Sequence, residues 1–185
     1  MIQQLILSSF ILFGLFVLTL AIFFRLKGID FWGVPPIKKS AFYLGKISSL
    51  FTWSFMIVQA LGLNLRRFKL PLWIEFLSAV LLVTGFIMLL IAFVRLRHST
   101  RFGIPRENIK LETGGIYAVS RNPMYLGFYL LYVASVLYTF NPLVFTFAIA
   151  AVYAHNRTAV AEEKFLEKKF GNEYADYKKR VRRYV

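Results

Sequence analysis

Two acidic side chains stand next to each other late in the chain, at spacings that place polar residues on common helix faces. Glu162 follows Thr158 by four residues, and Glu163 follows Asn156 by seven. Residues at such spacings lie on one side of an α-helix. Carboxylates there accept hydrogen bonds from the hydroxyl or amino groups of a ligand. The alternative is a solvated helix surface, which is the usual place for a charged pair.

A second group of chemistry-bearing residues comprises two short segments, 111–117 and 121–127. The first contains Gly114-Gly115, and glycine lets a backbone approach a ligand closely. The second contains Arg121, a fixed cation that can hold a carboxylate or a developing anion. Pro123, at a helix entry, leaves backbone groups free to bind a ligand. An ordinary loop with an arginine at the membrane edge explains these residues equally well.

Several kinds of site are excluded by what the sequence lacks. There is no cysteine, so disulfides, thiolate metal sites and a cysteine nucleophile are ruled out. Two histidines, His98 and His155, are too few for a metal site by themselves. No glycine-rich dinucleotide motif, Walker loop or Gly-x-Ser-x-Gly elbow occurs. The net charge of +14 comes largely from residues between or after apolar runs, which favours membrane lipid over nucleic acid as the partner.

The elements that must position these residues are long apolar helices. Hydrophobic residues make up 58% of the 185-residue chain, above the roughly half that is usual in soluble domains. Crossing a bilayer as a helix takes about 20 such residues. The sequence predicts an all-α, single membrane domain over residues 1–185, with three spans in 1–94 and a catalytic half in 95–185. The first four predicted spans are residues 5–24, 41–63, 72–94 and 116–140, the last of them regular from about Pro123.

The fifth predicted helix carries the acidic pair. Asn141 is a favoured N-cap and Pro142 a favoured first residue, so the helix begins there and runs to about Phe170, with Gly171 as its stop. The short turn makes it an antiparallel neighbour of the fourth span. Its apolar part, residues 143–154, spans only about 18 Å, less than a hydrocarbon core of roughly 30 Å.

Three polar residues therefore lie within or at the edge of the membrane: His155, Asn156 and Arg157. Polar groups at that depth are costly unless they face protein or water, which makes them functional candidates. A short helix that thins the bilayer, with Arg157 reaching the surface, is the alternative. From the hairpin geometry we expect Arg121, Tyr125, Asn156 and Glu162 to surround one cavity.

The distribution of lysine and arginine orients the predicted bundle. The first loop, the third loop and the tail are rich in these residues, whereas the second loop has few and the fourth has none. The positive-inside rule then places the N-terminus outside and the C-terminus in the cytoplasm. In the tail, Tyr174, Tyr177, Val181 and Tyr184 recur at helical spacing opposite basic residues. This pattern predicts an amphipathic helix that binds anionic headgroups at the membrane surface.

The ordered set of motifs resembles the isoprenylcysteine carboxyl methyltransferase family, of which phospholipid N-methyltransferases are relatives. The resemblance covers roughly residues 109–183. It rests on Gly-Ile-Tyr at 115–117, Arg-Asn-Pro-Met-Tyr-Leu-Gly at 121–127, Glu-Glu at 162–163 and Phe-Gly-x-x-Tyr-x-x-Tyr-x-x-x-Val at 170–181. It implies a membrane enzyme that transfers a methyl group from S-adenosylmethionine to a lipophilic carboxylate, amine or thiol at the inner leaflet.

The resemblance also implies site residues. Asn122 stands where members commonly have histidine, and because an amide cannot titrate, no general base is expected there. Arg121, Glu163 and Asn156 are the residues expected to act in catalysis. The expected cofactor contacts are Ile109, Lys110, Leu111, Glu112, Tyr117, Asn122, Pro123, Met124, Tyr125 and Glu162.

Two other functions remain open at this stage. An NADPH-dependent membrane sterol or enone reductase has a similar topology and tail, although it typically carries tryptophan where this chain has Tyr174. The Glu162-Glu163 pair favours the methyltransferase over this reductase. The other alternative is a lipid-binding membrane protein that keeps the fold without catalysis, in which case replacing Arg121 or Glu162 leaves its role intact.

Overall fold

The computed structural model describes residues 1–28, 34–66, 68–96 and 110–185. Within these segments the regular structure is helical and no β-strand is present, as the all-α prediction requires. A short 3₁₀ turn, Gly115–Ala118, precedes the fourth α-helix. The α-helices are α1 (Ile2–Leu26), α2 (Lys39–Ala60), α3 (Leu72–Leu96), α4 (Pro123–Thr139), α5 (Pro142–Phe170) and α6 (Asn172–Arg180).

Four of these helices, α1, α2, α3 and α5, are long and apolar enough to cross a membrane. This agrees with the prediction of an integral membrane protein. Helix α4 is also apolar but has 17 residues, which give a length of about 25 Å. A crossing by α4, which the five-span prediction requires, therefore stays a prediction.

The bounds of α5 follow from local chemistry, as predicted. The side chain of Asn141 accepts a hydrogen bond from the backbone N–H of Leu143 at 2.9 Å, which caps the helix start. Pro142 occupies the first helical position. At the other end Gly171 has φ of 53°, a conformation that glycine adopts without strain, and the helix stops there. Helices α4 and α5 thus form the expected antiparallel hairpin.

Close helix packing depends on glycines at two levels of the bundle. Where α3 meets α4, a Cβ on Gly127 would lie 2.9 Å from Cγ of Leu89 and 3.0 Å from the carbonyl oxygen of Gly85. Where α2 meets α5, a Cβ on Gly45 would lie 2.6 Å from Cβ of Ala154. Small residues at such contacts let helix backbones approach each other, as is common in membrane bundles.

The end of the chain differs from its prediction. Helix α6 ends at Arg180, and Val181 is extended, with φ of −125° and ψ of 133°. Tyr174 and Tyr177 are only 1% and 3% exposed, so they pack into the protein. The predicted continuation of the helix through Val181 and Tyr184 is therefore wrong. We call residues 181–185 the C-terminal strap, because main-chain hydrogen bonds hold them against the start of α4.

Candidate functional site

The start of α4 and the later part of α5 meet through one hydrogen bond. The phenol of Tyr125 donates to Oε2 of Glu162 at 2.9 Å. Tyr125 is 5% exposed, and Glu162 is partly buried. Both residues were expected at the site, and the hairpin brings them together as its geometry predicts. A buried hydroxyl and a carboxylate are thus joined at the point where two helices converge.

A cavity of about 450 Å³ lies beside this pair, with walls from α1, α2, α3, α4 and α5. Tyr125 lines it directly, whereas Glu162 is not among the lining residues and reaches it through its hydrogen bond to Tyr125. The walls are mainly apolar and aromatic, and the other polar side chains that line the cavity are Lys46, Ser49, His155 and Thr158. A mostly apolar pocket with a few polar groups is the usual form of a site for a small lipophilic molecule.

Two faces of α5 lead to different surroundings. His155 and Thr158 line the cavity, and Glu162 continues their side of the helix toward Tyr125. Asn156 lies on another face, where its side-chain oxygen accepts a hydrogen bond from the phenol of Tyr184 at 2.8 Å. Because successive residues of an α-helix point about 100° apart, Asn156 faces a different side of the helix from His155.

Arg121 and Glu163 form a buried ion pair away from the cavity. The guanidinium donates to both carboxylate oxygens of Glu163, from Nη2 at 3.1 Å and from Nε at 3.3 Å. Their side chains are 8% and 5% exposed. The amide of Asn122 donates to Oε1 at 2.7 Å, and Arg183 donates to Oε2 at 3.0 Å. Glu163 thus joins α5 to the start of α4 and to the strap.

The C-terminal strap satisfies the free backbone donors in front of α4. The N–H groups of Arg121 and Asn122 donate to the carbonyls of Arg182 and Arg183 at 3.0 and 3.1 Å. The guanidinium of Arg121 also donates to the carbonyl of Val181 at 2.6 Å. A helix start leaves N–H groups without helical partners, and here the end of the chain supplies acceptors for the donors just before it.

The expectation that Arg121, Tyr125, Asn156 and Glu162 surround one cavity is therefore wrong. Of these four only Tyr125 lines it. Arg121 instead bonds to Glu163 and the strap, and Asn156 bonds to Tyr184. The expected catalytic role of Arg121, Glu163 and Asn156 stays a prediction, but none of them is placed to touch a molecule in this cavity.

The expected cofactor segment before α4 is joined to α6 at Tyr117. Lys110 is exposed, and Leu111 and Glu112 are partly buried; Glu112 accepts a hydrogen bond from the N–H of Gly114 at 3.0 Å. The carbonyl of Tyr117 accepts one from the phenol of Tyr177 at 2.6 Å. Burial raises the pKa of Tyr177 to about 12, so this phenol stays a neutral donor. Ile109 lies outside the described residues.

The remaining expected contacts divide between two environments. Met124 lines the cavity next to Tyr125, whereas Asn122 belongs to the Glu163 cluster. Pro123 is the first residue of α4 and fixes the direction in which the helix enters. The start of α4 thus has one side on the cavity and the other on the strap.

Sequence reasoning missed the contributions of α1 and α2. Lys46 is the one charged residue in the apolar run 41–63, and its side chain lines the cavity. Because ionisable residues inside apolar spans are rare and usually functional, this position gave a usable signal. Ser49 and Gly14 gave none, because a small residue in a helix indicates no particular role.

Comparisons with known proteins bear on the family to which the chain belongs. The phospholipid methyltransferase family matches residues 73–173, more than half of the chain. Protein-S-isoprenylcysteine O-methyltransferase B of Arabidopsis thaliana is 28% identical over 113 residues, which is 59% of this chain and 57% of the relative. The chain thus matches little more than half of that relative's length. No solved structure matches the chain significantly. Both matches support the resemblance seen in the motifs.

Proposed function

Because this chain belongs to the phospholipid methyltransferase family, we propose that it transfers a methyl group from S-adenosylmethionine to a lipophilic acceptor held in the cavity beside Tyr125. The observation that carries the proposal is the 2.9 Å hydrogen bond between Tyr125 and Glu162 at the edge of an apolar cavity. It joins a carboxylate able to bind a polar cofactor to a space able to hold a lipid chain.

The residues near this pair fit S-adenosylmethionine, which supplies a methyl group on a positively charged sulfur. Glu162 uses Oε2 for Tyr125, and no described residue donates a hydrogen bond to its Oε1. That oxygen is therefore available to a ribose hydroxyl or an ammonium group. Glu112 offers a second carboxylate in the segment before α4. Residues 109–112, Tyr117 and residues 122–125 complete the proposed cofactor contacts.

Arg121 and Glu163 act, in this proposal, as positioning residues. Their ion pair holds the start of α4 and the strap together. Tyr125 stands one helical turn after Arg121, so its direction depends on how α4 begins. Asn156 has a similar role through Tyr184, which also contacts the phenol of Tyr129 at 3.0 Å.

We further propose that all five apolar helices cross the membrane, with the N-terminus outside and the C-terminus in the cytoplasm. The basic segments then face the cytoplasm, as the positive-inside rule requires. The exposed cations of α6, Lys178, Lys179 and Arg180, then lie where they contact anionic headgroups. The acceptor enters the cavity from the inner leaflet, and the cofactor reaches Glu162 from the cytoplasm.

Calorimetry with the purified protein tests the cofactor part of this proposal. We expect binding of S-adenosylmethionine and S-adenosylhomocysteine, and none of NADPH. Glu162→Gln should weaken S-adenosylmethionine binding roughly ten- to hundredfold, since a hydrogen bond to a charged group contributes about 1.5–3 kcal/mol.

Glu167→Gln is the matched control, because Glu167 lies on the same helix and is 48% exposed. Its affinity for S-adenosylmethionine should equal that of the wild type. A wild-type protein that binds NADPH instead, or neither ligand, would rule out the methyltransferase. Equal affinities of the Glu162→Gln variant and the wild type would remove Glu162 from the site.

A further inference from the structure

A chain of hydrogen bonds connects the cavity to α2. His155 lines the cavity, and its Nδ1 lies 2.9 Å from the phenol oxygen of Tyr132. That oxygen lies 2.6 Å from Oγ of Ser49. Ser49 in turn donates to the carbonyl of Gly45 at 2.7 Å. Three helices, α2, α4 and α5, thus share one buried polar chain.

The direction of these hydrogen bonds fixes the position of the imidazole proton. The carbonyl of Gly45 can only accept, so it takes the single hydroxyl proton of Ser49. Ser49 must then accept from Tyr132, whose own proton is thereby used. The oxygen of Tyr132 is left as an acceptor, and Nδ1 of His155 must donate to it. Neutral His155 therefore carries its proton on Nδ1 and a lone pair on Nε2.

The packing holds the imidazole ring in this orientation. It stacks on Tyr132, with ring centroids 5.9 Å apart and planes 10° apart, and on Phe128 at 5.4 Å and 20°. Helix α2 also approaches the ring, because a Cβ on Gly45 would lie 4.0 Å from Cδ2 of His155. No described residue makes a hydrogen bond to Nε2, so a basic nitrogen is available on a residue that lines the cavity.

We propose that His155 is the general base of the methyl transfer, and that the acceptor is a lipid whose nucleophilic atom carries a proton, an amine or a thiol. This rests on the proposed function. A carboxylate acceptor has no proton to lose at neutral pH and needs no base. The built orientation of His155 therefore argues for N–H or S–H acceptors over carboxylates.

The reaction balances with this one base. The proton of the acceptor's N–H or S–H group moves to Nε2 of His155, which becomes an imidazolium. On sulfur, the electron pair left by that proton forms the bond to the methyl carbon. On a neutral amine, the nitrogen's own lone pair forms this bond as the proton leaves. The bond between that carbon and the sulfonium sulfur breaks, and its electron pair stays on sulfur. The products are the methylated lipid and neutral S-adenosylhomocysteine.

The groups around His155 are compatible with such an acceptor. Lys46 of α2 lines the same cavity, and its positive charge favours a neutral amine over an ammonium there. Helix α4 contributes the phenols of Tyr125 and Tyr132. On α5 itself Glu162 follows two turns later, about 10 Å along the axis. The lining residues from α1 and α3 are not titratable.

Three acceptors of one chain length test the proposal: hexadecylamine, hexadecanethiol and hexadecanoate. The wild type should methylate the amine or the thiol and leave hexadecanoate unchanged. His155→Gln should lower kcat by about 100-fold or more. The affinity of this variant for S-adenosylmethionine should stay within about twofold of the wild type, because His155 contacts the acceptor and not the cofactor. The rise of the wild-type rate with pH should be lost in this variant, and imidazole should restore part of the rate in His155→Ala.

A second pair of variants tests the proton position. Ser49→Ala removes the oxygen that accepts the proton of Tyr132. The phenol of Tyr132 then donates to Nδ1 of His155, and the imidazole proton moves to Nε2. We expect kcat to fall at least tenfold with S-adenosylmethionine affinity unchanged. Ser135→Ala is the control, because the hydroxyl of this buried serine bonds only to Met56 and Leu131 among the described residues. Its kcat should equal that of the wild type.

Several results would overturn the assignment. The first is a wild-type rate of His155→Gln with the amine or the thiol. The second is a wild-type preference for hexadecanoate. The third is a loss of cofactor affinity in His155→Gln that parallels its loss of kcat. An unchanged rate in Ser49→Ala would refute the argument on proton position. If the wild type binds no S-adenosylmethionine, the proposed function fails and the role of His155 falls with it.

Discussion

Replacing Glu163 by alanine should release the C-terminal strap. Its carboxylate accepts hydrogen bonds from Arg121, Asn122 and Arg183 at 2.7 to 3.3 Å. Without it the guanidinium of Arg121, which is 8% exposed, remains buried with only the carbonyls of Lys178 and Val181 as acceptors. Separation of the strap lets water reach this charge. We therefore expect the strap and the start of α4 to become mobile together.

The magnitude follows from the burial of each partner. Removing one member of a buried ion pair costs about 3–5 kcal/mol. The contact with Arg183 adds less than about 1 kcal/mol, since that side chain is 36% exposed. Glu163→Gln keeps the shape but loses the charge, which about halves each hydrogen bond, so about 2 kcal/mol is expected. Glu167→Ala, which removes an exposed pair with Lys178, should cost at most about 1 kcal/mol.

The assay uses the absence of cysteine from the chain. A single cysteine at Val185, which is 75% exposed, carries a spin label without interference from other thiols. In Glu163→Ala the label should become mobile. The unfolding midpoint in detergent should be lowest for Glu163→Ala, intermediate for Glu163→Gln and highest for the wild type. If the label and the midpoint match the wild type, or if Glu167→Ala has the same effect as Glu163→Ala, the ion pair does not hold the strap.

Three further substitutions test separate parts of the fold by unfolding in detergent. Gly127→Ala should cost about 1–3 kcal/mol, because its Cβ would meet Leu89 at 2.9 Å; Gly14→Ala, with nothing within 4 Å, should cost little. Asn141→Ala should cost about 1 kcal/mol through loss of the α5 cap, and an unchanged midpoint would contradict the cap. Tyr177→Phe should cost about 1 kcal/mol. Because burial raises its pKa from 10.0 to about 12, the folded state keeps a proton that the unfolded state loses. The stabilisation from the neutral phenol is full below pH 10 and is lost as the pH rises toward 12. The free energy of unfolding of Tyr177→Phe should not show this decline with pH.

The parts of the fold that follow from local signals were predictable. Asn141, Pro142 and Gly171 set the bounds of α5, because capping and the left-handed stop depend on neighbouring residues alone. The hairpin then brought Tyr125 to Glu162, since a short turn allows few arrangements. Pro123 also marked the start of α4, because proline favours the first position of a helix.

The parts that depend on distant contacts were not predictable. The tyrosine spacing of the tail suggested one continuous helix, yet the strap is extended because it pairs with backbone groups of Arg121 and Asn122. That pairing leaves no trace in the spacing. Glu162 and Glu163 are adjacent in sequence, but the packing of α4 joins the first to Tyr125 at the cavity and the second to Arg183 of the strap.

Blocking the cavity tests the central claim most directly. Gly14 lines it from α1, and a Cβ there would meet nothing within 4 Å, so the side chain of Gly14→Phe begins in open space and adds bulk at the wall of the cavity. Purified wild type should transfer labelled methyl from S-adenosylmethionine into a total lipid extract, giving an apolar product identified by mass spectrometry. Gly14→Phe should lose at least about 90% of that transfer while binding the cofactor normally, because only the acceptor is excluded. No labelled lipid from the wild type, or full transfer by Gly14→Phe, would contradict the account.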